Sequence, residues 1–302
     1  MKQAILIITT LFWGSLVGQS IYKSSIDSGG GSATNGNIQV IYTIGEVNVR
    51  EASAGNIVLS EGFISGALQI HIDSKLFLEG PYDSGSSALM FDYLRSSDLI
   101  PLDTPYIDGK SINPTVLTVT GNDAIVDWVW VELRDQGDYT NIVEATSALL
   151  QKDGDIVDVD GVSGLTFSSP ANSYYVAIAH RNHLGIITDN PINLATTSTL
   201  DLTNNIALIN GGLNAISNMG DGYYALTAGD YDGNGQVQNT DLTGILPLIG
   251  TASYSPADLD MNGQTQNTDI NNTLLPNIGL GEQISAKNSQ SRIIIVAPRK
   301  DD

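Results

Sequence analysis

Asp230-Tyr231-Asp232-Gly233-Asn234-Gly235-Gln236-Val237-Gln238-Asn239-Thr240-Asp241 returns 28 residues later as Asp258-Leu259-Asp260-Met261-Asn262-Gly263-Gln264-Thr265-Gln266-Asn267-Thr268-Asp269. In both copies positions 1, 3 and 5 are Asp, Asp and Asn, position 6 is Gly, and position 12 is again Asp. Oxygen ligands on alternate residues wrap one side of a hard cation, Gly permits the sharp turn, and the last carboxylate closes the shell. The expected side-chain ligands are Asp230, Asp232, Asn234 and Asp241 in the first loop, and Asp258, Asp260, Asn262 and Asp269 in the second. Gln236 and Gln264 at position 7 would add a backbone carbonyl, and Gln238 and Gln266 at position 9 can reach the ion or its water. Three carboxylates against Ca²⁺ leave a local charge of about −1, a reasonable balance for this cation, whereas Mg²⁺ gives up its water shell reluctantly. A single copy would compete with an ordinary acidic turn, since Asn, Asp and Gly favour turns for conformational reasons alone. Two copies with the same ligand types at the same offsets point to two calcium ions.

Each loop runs into an apolar stretch, Leu242 to Ile249 and Ile270 to Ile278, which ends in Gly250 or Gly279. A short helix closed by a C-terminal Gly fits both. No amphipathic helix precedes either loop, so these are loop-then-helix units without the entering helix of an ordinary EF-hand. On these residues the stretch from about Ala228 to Gly281 resembles a type I dockerin, the paired calcium-loop module that clips secreted proteins to cohesin domains. The resemblance implies the calcium ligands named above and a cohesin-like protein partner. It also implies that the partner is read through loop positions 10 and 11, here Asn239-Thr240 and Asn267-Thr268. Pro247 and Pro276 interrupt the helices where the family has longer amphipathic ones.

Upstream, alternation of apolar and polar residues in Ile38 to Ile44 and again in Ile57-Val58-Leu59 reads as half-buried strands. At least seven more are expected between His71 and Leu226. The clearest are Leu76-Phe77-Leu78, Val116 to Val119, Ile125 to Leu133, Ile156 to Val159, Tyr174 to Ile178 and Leu184 to Thr188, with turns at Asp153-Gly154 and Arg181-Asn182. Ala145 to Gln151 reads as a short helix, or as the extension of a strand. The fold class expected is mostly β, an antiparallel β-sandwich followed by a small α-helical dockerin-like module. The boundaries expected are a signal peptide (1–19), an N-terminal β segment (20–69), the sandwich (70–228), the calcium module (229–281) and a basic tail (282–302). The signal peptide rests on Met1-Lys2-Gln3, the apolar run Ala4 to Leu16 and the small or polar exit Val17-Gly18-Gln19-Ser20. That run is shorter than a spanning helix needs, so no transmembrane segment is expected in the mature chain.

The 302 residues carry 13 Lys plus Arg against 33 Asp plus Glu, and a net charge of −20 repels a phosphate backbone, which argues against nucleic acid as a partner. There is no cysteine, which excludes disulfides, thiolate zinc sites and cysteine nucleophiles. Leu78 to Tyr82, Val126 to Arg134 and His180 to Leu184 are similar to a β-rich, hemagglutinin-like region of secreted surface proteins from gliding, polysaccharide-degrading bacteria. His180 and His183 are too few for a transition-metal site and read as a polar turn. Asp127, Glu132 and Asp135 around Trp128 and Trp130 could form a glycosidase or sugar-binding site, but strand alternation favours the tryptophans as core. Glu132 and Arg134 read as an end-of-strand ion pair. The function expected is that of a secreted, non-catalytic surface or assembly protein, extracellular or on the cell surface, whose two calcium ions order a protein-binding face. The alternative is a component of extracellular polysaccharide degradation, either a glycoside hydrolase or a carbohydrate-binding accessory.

Overall fold

The computed structural model describes the backbone of residues 29–35, 38–44, 50–54 and 57–61, and residues 69–283 except 87 and 196–198. The expected signal peptide and the tail from 284 onward lie outside the described residues. The chain divides into two compact units, 1–66 and 67–302. In the first, β1 (Gly29–Asn35) pairs antiparallel with β2 (Ile38–Ile44), and β3 (Arg50–Ala54) with β4 (Ile57–Glu61).

The second unit is built on a nine-stranded sheet. Its strands are β5 (Gln69–Lys75), β6 (Ile125–Asp135), β7 (Ile142–Gln151), β8 (Asp155–Val157), β9 (Leu165–Pro170), β10 (Ser173–Ala179), β11 (Ile186–Ile187), β12 (Ile192–Asn193) and β13 (Thr199–Asp201). Their order is β11-β10-β6-β7-β8-β5-β13, with β12 also on β10 and β9 also on β5. All pairs are antiparallel except β5 with β13. A short ribbon, β14 (Ser217–Asn218) with β15 (Tyr224–Ala225), follows. The molecule is thus mostly β, with a predominantly antiparallel sheet and few short helices.

β6 is rich in β-branched and aromatic residues and lies between β10 and β7, and every residue from Ile125 to Arg134 is buried. A strand covered on both faces loses the polar-out rule, so Asp127 and Glu132 are interior groups on opposite faces. Trp128 and Trp130 are core, as alternation led us to expect. Ala145 to Gln151 is part of β7 and not a helix: it pairs residue by residue with β6, a tertiary contact that overrides its local propensity. Val116 to Val119 is not a strand. Pro114 and the Asn113 side chain, which accepts the Thr115 N–H, start a 3-10 turn over Pro114–Thr118. Leu76 to Leu78 is buried, with a single parallel bridge from Leu78 to Leu226 in place of a ladder.

Behind each acidic loop the expected helix forms. α1 (Tyr93–Ser96) belongs to the sheet region, and α2 (Asn239–Ile245) follows the first loop and runs into a 3-10 turn, Leu246–Leu248. After the second loop a π-helix, Asp269–Leu274, leads into α3 (Leu275–Asn277). The sequence explains the difference. Leu246-Pro247-Leu248-Ile249-Gly250 recurs as Leu275-Pro276-Asn277-Ile278-Gly279 at an offset of 29, one more than the loops. A single inserted residue in a helix is absorbed as a π turn, which leaves the cap unchanged. Gly250 and Gly279 accordingly share a left-handed conformation, with φ of 92° and 97°.

The two repeats are strapped to each other. Position 8 of the first loop, Val237, exchanges backbone hydrogen bonds with Gly279 and Leu280, and its counterpart Thr265 does the same with Gly250 and Thr251. Their shared core is small: Leu184, Val237, Ile245, Ala257, Leu259, Ile270 and Leu274, of which Leu184 comes from the sheet region. Met261, by contrast, is buried in the main core. The contact is tightest at Gly80, where a Cβ would run into the carbonyl of Leu259. Gly80→Ala is therefore expected to cost roughly 2–3 kcal/mol, because backbone cannot yield as a flexible side chain can; a urea midpoint on the full chain checks it.

Candidate metal centre

In each loop the fold gathers three carboxylates. Ligand oxygens of Asp230, Asp232 and Asp241 lie within 4.8 Å of one another, and so do those of Asp258, Asp260 and Asp269. The turn is held by its own backbone. Gly235 and Gly263, at φ of 84° and 90°, donate their N–H groups to Asp230 and Asp258 at 3.0 and 2.8 Å. The last carboxylate closes the loop from the first turn of the following helix. Asp241 accepts the Gln238 and Asp232 N–H groups, and Asp269 those of Gln266, Asp260 and Leu259. Asn234 and Asn262 donate to Asp232 and Asp260 at 2.8 and 2.9 Å, so the position-5 amides stand beside the carboxylates. The position-9 side chains differ: Gln238 reaches the position-5 amide oxygen of Asn234 at 3.5 Å, whereas Gln266 donates to the exposed Gln264 at 2.8 Å. Gln236 is exposed as well.

Burial raises Asp258 to about 7, against the opposing pull of Arg181, with Asp269 and Asp260 adding to the rise. Burial also raises Asp260 and Asp241, each with help from its carboxylate neighbours. Like charges pressed together out of water favour either protons or a cation. An all-oxygen donor set of this kind suits a hard divalent ion.

Asn239, Thr240, Asn267 and Thr268 are exposed, two at each helix start. Asn239 and Thr240 line a groove of about 420 Å³ whose far side is Ile278, Gly279 and Leu280. Leu246, Ile249, Leu275 and Ile278 leave the two repeated caps with exposed apolar side chains.

Sequence reasoning missed a buried polar cluster behind the second loop. The His180 to His183 segment does turn, but all four residues are fully buried and do not form a surface turn. Their partners are distant in sequence, which is why local pattern concealed them. Asp127 receives hydrogen bonds from Arg181 Nε (2.8 Å) and the Tyr254 hydroxyl (2.7 Å), and lies 3.1 Å from His180 Nε2. The Gly80 N–H donates to His183 Nε2, which places the proton of that ring on Nδ1, facing His180 Nδ1 at 3.0 Å and Asn182 Oδ1 at 2.8 Å. His180 Nε2 in turn lies against Asp127, so the two rings link the Gly80 backbone to that carboxylate. On the other face of β6, Glu132 binds Trp130 Nε1 and Arg134 Nε, both at 2.8 Å. The expected ion pair is there but sealed in the core.

Burial by itself would raise Asp127, but the Arg181 charge and the His180 and Arg181 hydrogen bonds outweigh it and hold the carboxyl at about 2, below its ordinary 3.8. A depressed carboxylate contributes stability that is complete above the unfolded value and lost as pH falls through the folded one. Asp127 should thus contribute about 2 kcal/mol above pH 4 that fades toward pH 2. Urea midpoints for the chain and for Asp127→Asn, taken from pH 5 to 2, should converge across that window.

Among the described residues no helix is long and apolar enough to cross a membrane. No family model, curated protein or solved structure matches the chain.

Proposed function

We propose that the paired loops are calcium sites of a dockerin-like module, and that the chain is a secreted, non-catalytic surface or assembly protein whose ions order a protein-binding face. The observation that carries this is the pair of three-carboxylate clusters, repeated with identical ligand types and with the same backbone bonds from the position-6 and position-9 N–H groups. Asp230, Asp232, Asn234 and Asp241, with Asp258, Asp260, Asn262 and Asp269, would hold the ions. Calcium would supply positive charge against carboxylates that otherwise repel one another. Asn239, Thr240, Asn267 and Thr268, with the exposed apolar caps beside them, offer a partner two related faces. We read the sheet region that carries them as an antiparallel sandwich, in keeping with a β6 buried on both faces, and the whole as exported to the cell exterior.

Loop variants of the full chain test this. Asp230→Ala and Asp258→Ala should each remove one ion of two, counted by calorimetric titration, whereas Asn239→Ala should keep both and weaken only the protein contact. A chain whose calcium uptake ignores Asp230 and Asp258 defeats the reading.

A further inference from the structure

We infer that Asn182, on the sheet side of the unit, is the positioning residue of the second loop through its side-chain amide, whereas the first loop takes its amide donor from the second repeat. The first loop is held to the β body by Glu79, which accepts the Ala228 N–H and Asn277 Nδ2, and by the Asn182 carbonyl, which accepts the Gly229 N–H. This rests on the calcium reading above. The repeats are related by near symmetry, and the two carbonyls just ahead of the loops, Ala228 and Pro256, occupy equivalent positions at the same 28-residue offset. Each accepts a hydrogen bond from a side-chain amide, but the two donors have different origins.

At the first loop the donor is Asn277, at the end of the second repeat's helix, with Nδ2 2.9 Å from the Ala228 carbonyl. The matching position in the first repeat's helix, at the cap offset of 29, is Leu248, which has no donor and packs into the small shared core. The first repeat therefore cannot return the bond. Asn182 supplies it: Nδ2 lies 3.2 Å from the Pro256 carbonyl and 2.8 Å from that of Asp258, the position-1 ligand itself. Its neighbour Arg181 binds the Ser255 carbonyl through Nη1 and stacks on Tyr254, 4.4 Å from the ring centroid. Residues 254–258, which deliver Asp258 to the loop, are thereby held to a side chain anchored on Asp127 of β6. Asn182 acts on the loop through these two backbone carbonyls, whereas Arg181 also pulls on the Asp258 carboxylate through its charge, a charge that Arg181→Lys retains.

Affinity at a loop depends on how much ordering is left to the ion, so removing the anchor weakens the site it orders and spares the other. The test measures the sites one at a time in the full chain. Asp230→Ala leaves only the second loop to titrate with calcium, and Asp258→Ala leaves only the first. Adding Asn182→Ala should weaken the second site about tenfold or more and alter the first by less than twofold. Arg181→Lys, which keeps a cation beside Asp127 but loses the Nη1 bond to Ser255, should act in the same direction, and it serves as the readout if Asn182→Ala does not fold. Equal loss at both sites, or none at either, overturns the inference while leaving two calcium sites in place. Absence of calcium uptake in both parent chains overturns the calcium reading with it.

Discussion

Stripped of calcium, the chain should melt roughly 15–30 °C below its form in saturating calcium, in one transition seen alike by far-ultraviolet circular dichroism and tryptophan fluorescence. An ion that binds only the folded state stabilises it by RT ln(1 + [L]/Kd), about 4 kcal/mol per site when free calcium is a thousand times Kd. Two sites give about 8 kcal/mol, and a unit of this size shifts by roughly 2–4 °C for each. The repeats cannot supply that stability from packing, because their shared core has seven buried apolar side chains, one of them borrowed. The single transition follows from Met261 in the main core, the Gly80 contact and the Asn182 bonds. Two separate transitions, with fluorescence unmoved by the chelator, would show that the loops melt apart from the sheet.

Asp127→Ala is the most damaging single substitution expected in the body, at about 3–5 kcal/mol. It leaves the Arg181 guanidinium fully buried without its counter-ion, and it frees the Tyr254 hydroxyl and the end of the histidine chain at the same time. Among the described residues Arg181 Nη2 already has no hydrogen-bond partner. Denaturant unfolding in saturating calcium isolates the effect from metal loss. A cost under 1 kcal/mol would mean that the cluster is poorly formed in solution.

What local sequence could reveal is divided by range. The loops were legible because every candidate ligand lies within twelve residues, and β6 and β10 because β-branched and aromatic runs need no partner to be recognised. The strand at Ala145 was obscured, since only its pairing with β6 decides between helix and sheet. The interior polar cluster was not legible at all. Asp127, His180, Arg181 and Tyr254 carry ordinary surface residue types, and their pairing spans 53 to 127 positions of chain. The one-residue insertion behind the second loop was present in the spacing, but only the π turn gives it meaning.

The most direct measurement is a calorimetric titration of the metal-stripped full chain with calcium. The account predicts two ions per chain, one lost with Asp230→Ala, the other with Asp258→Ala, and none bound when both are replaced. A stripped, folded chain that takes up no calcium, or takes it up unchanged without those two carboxylates, would contradict it.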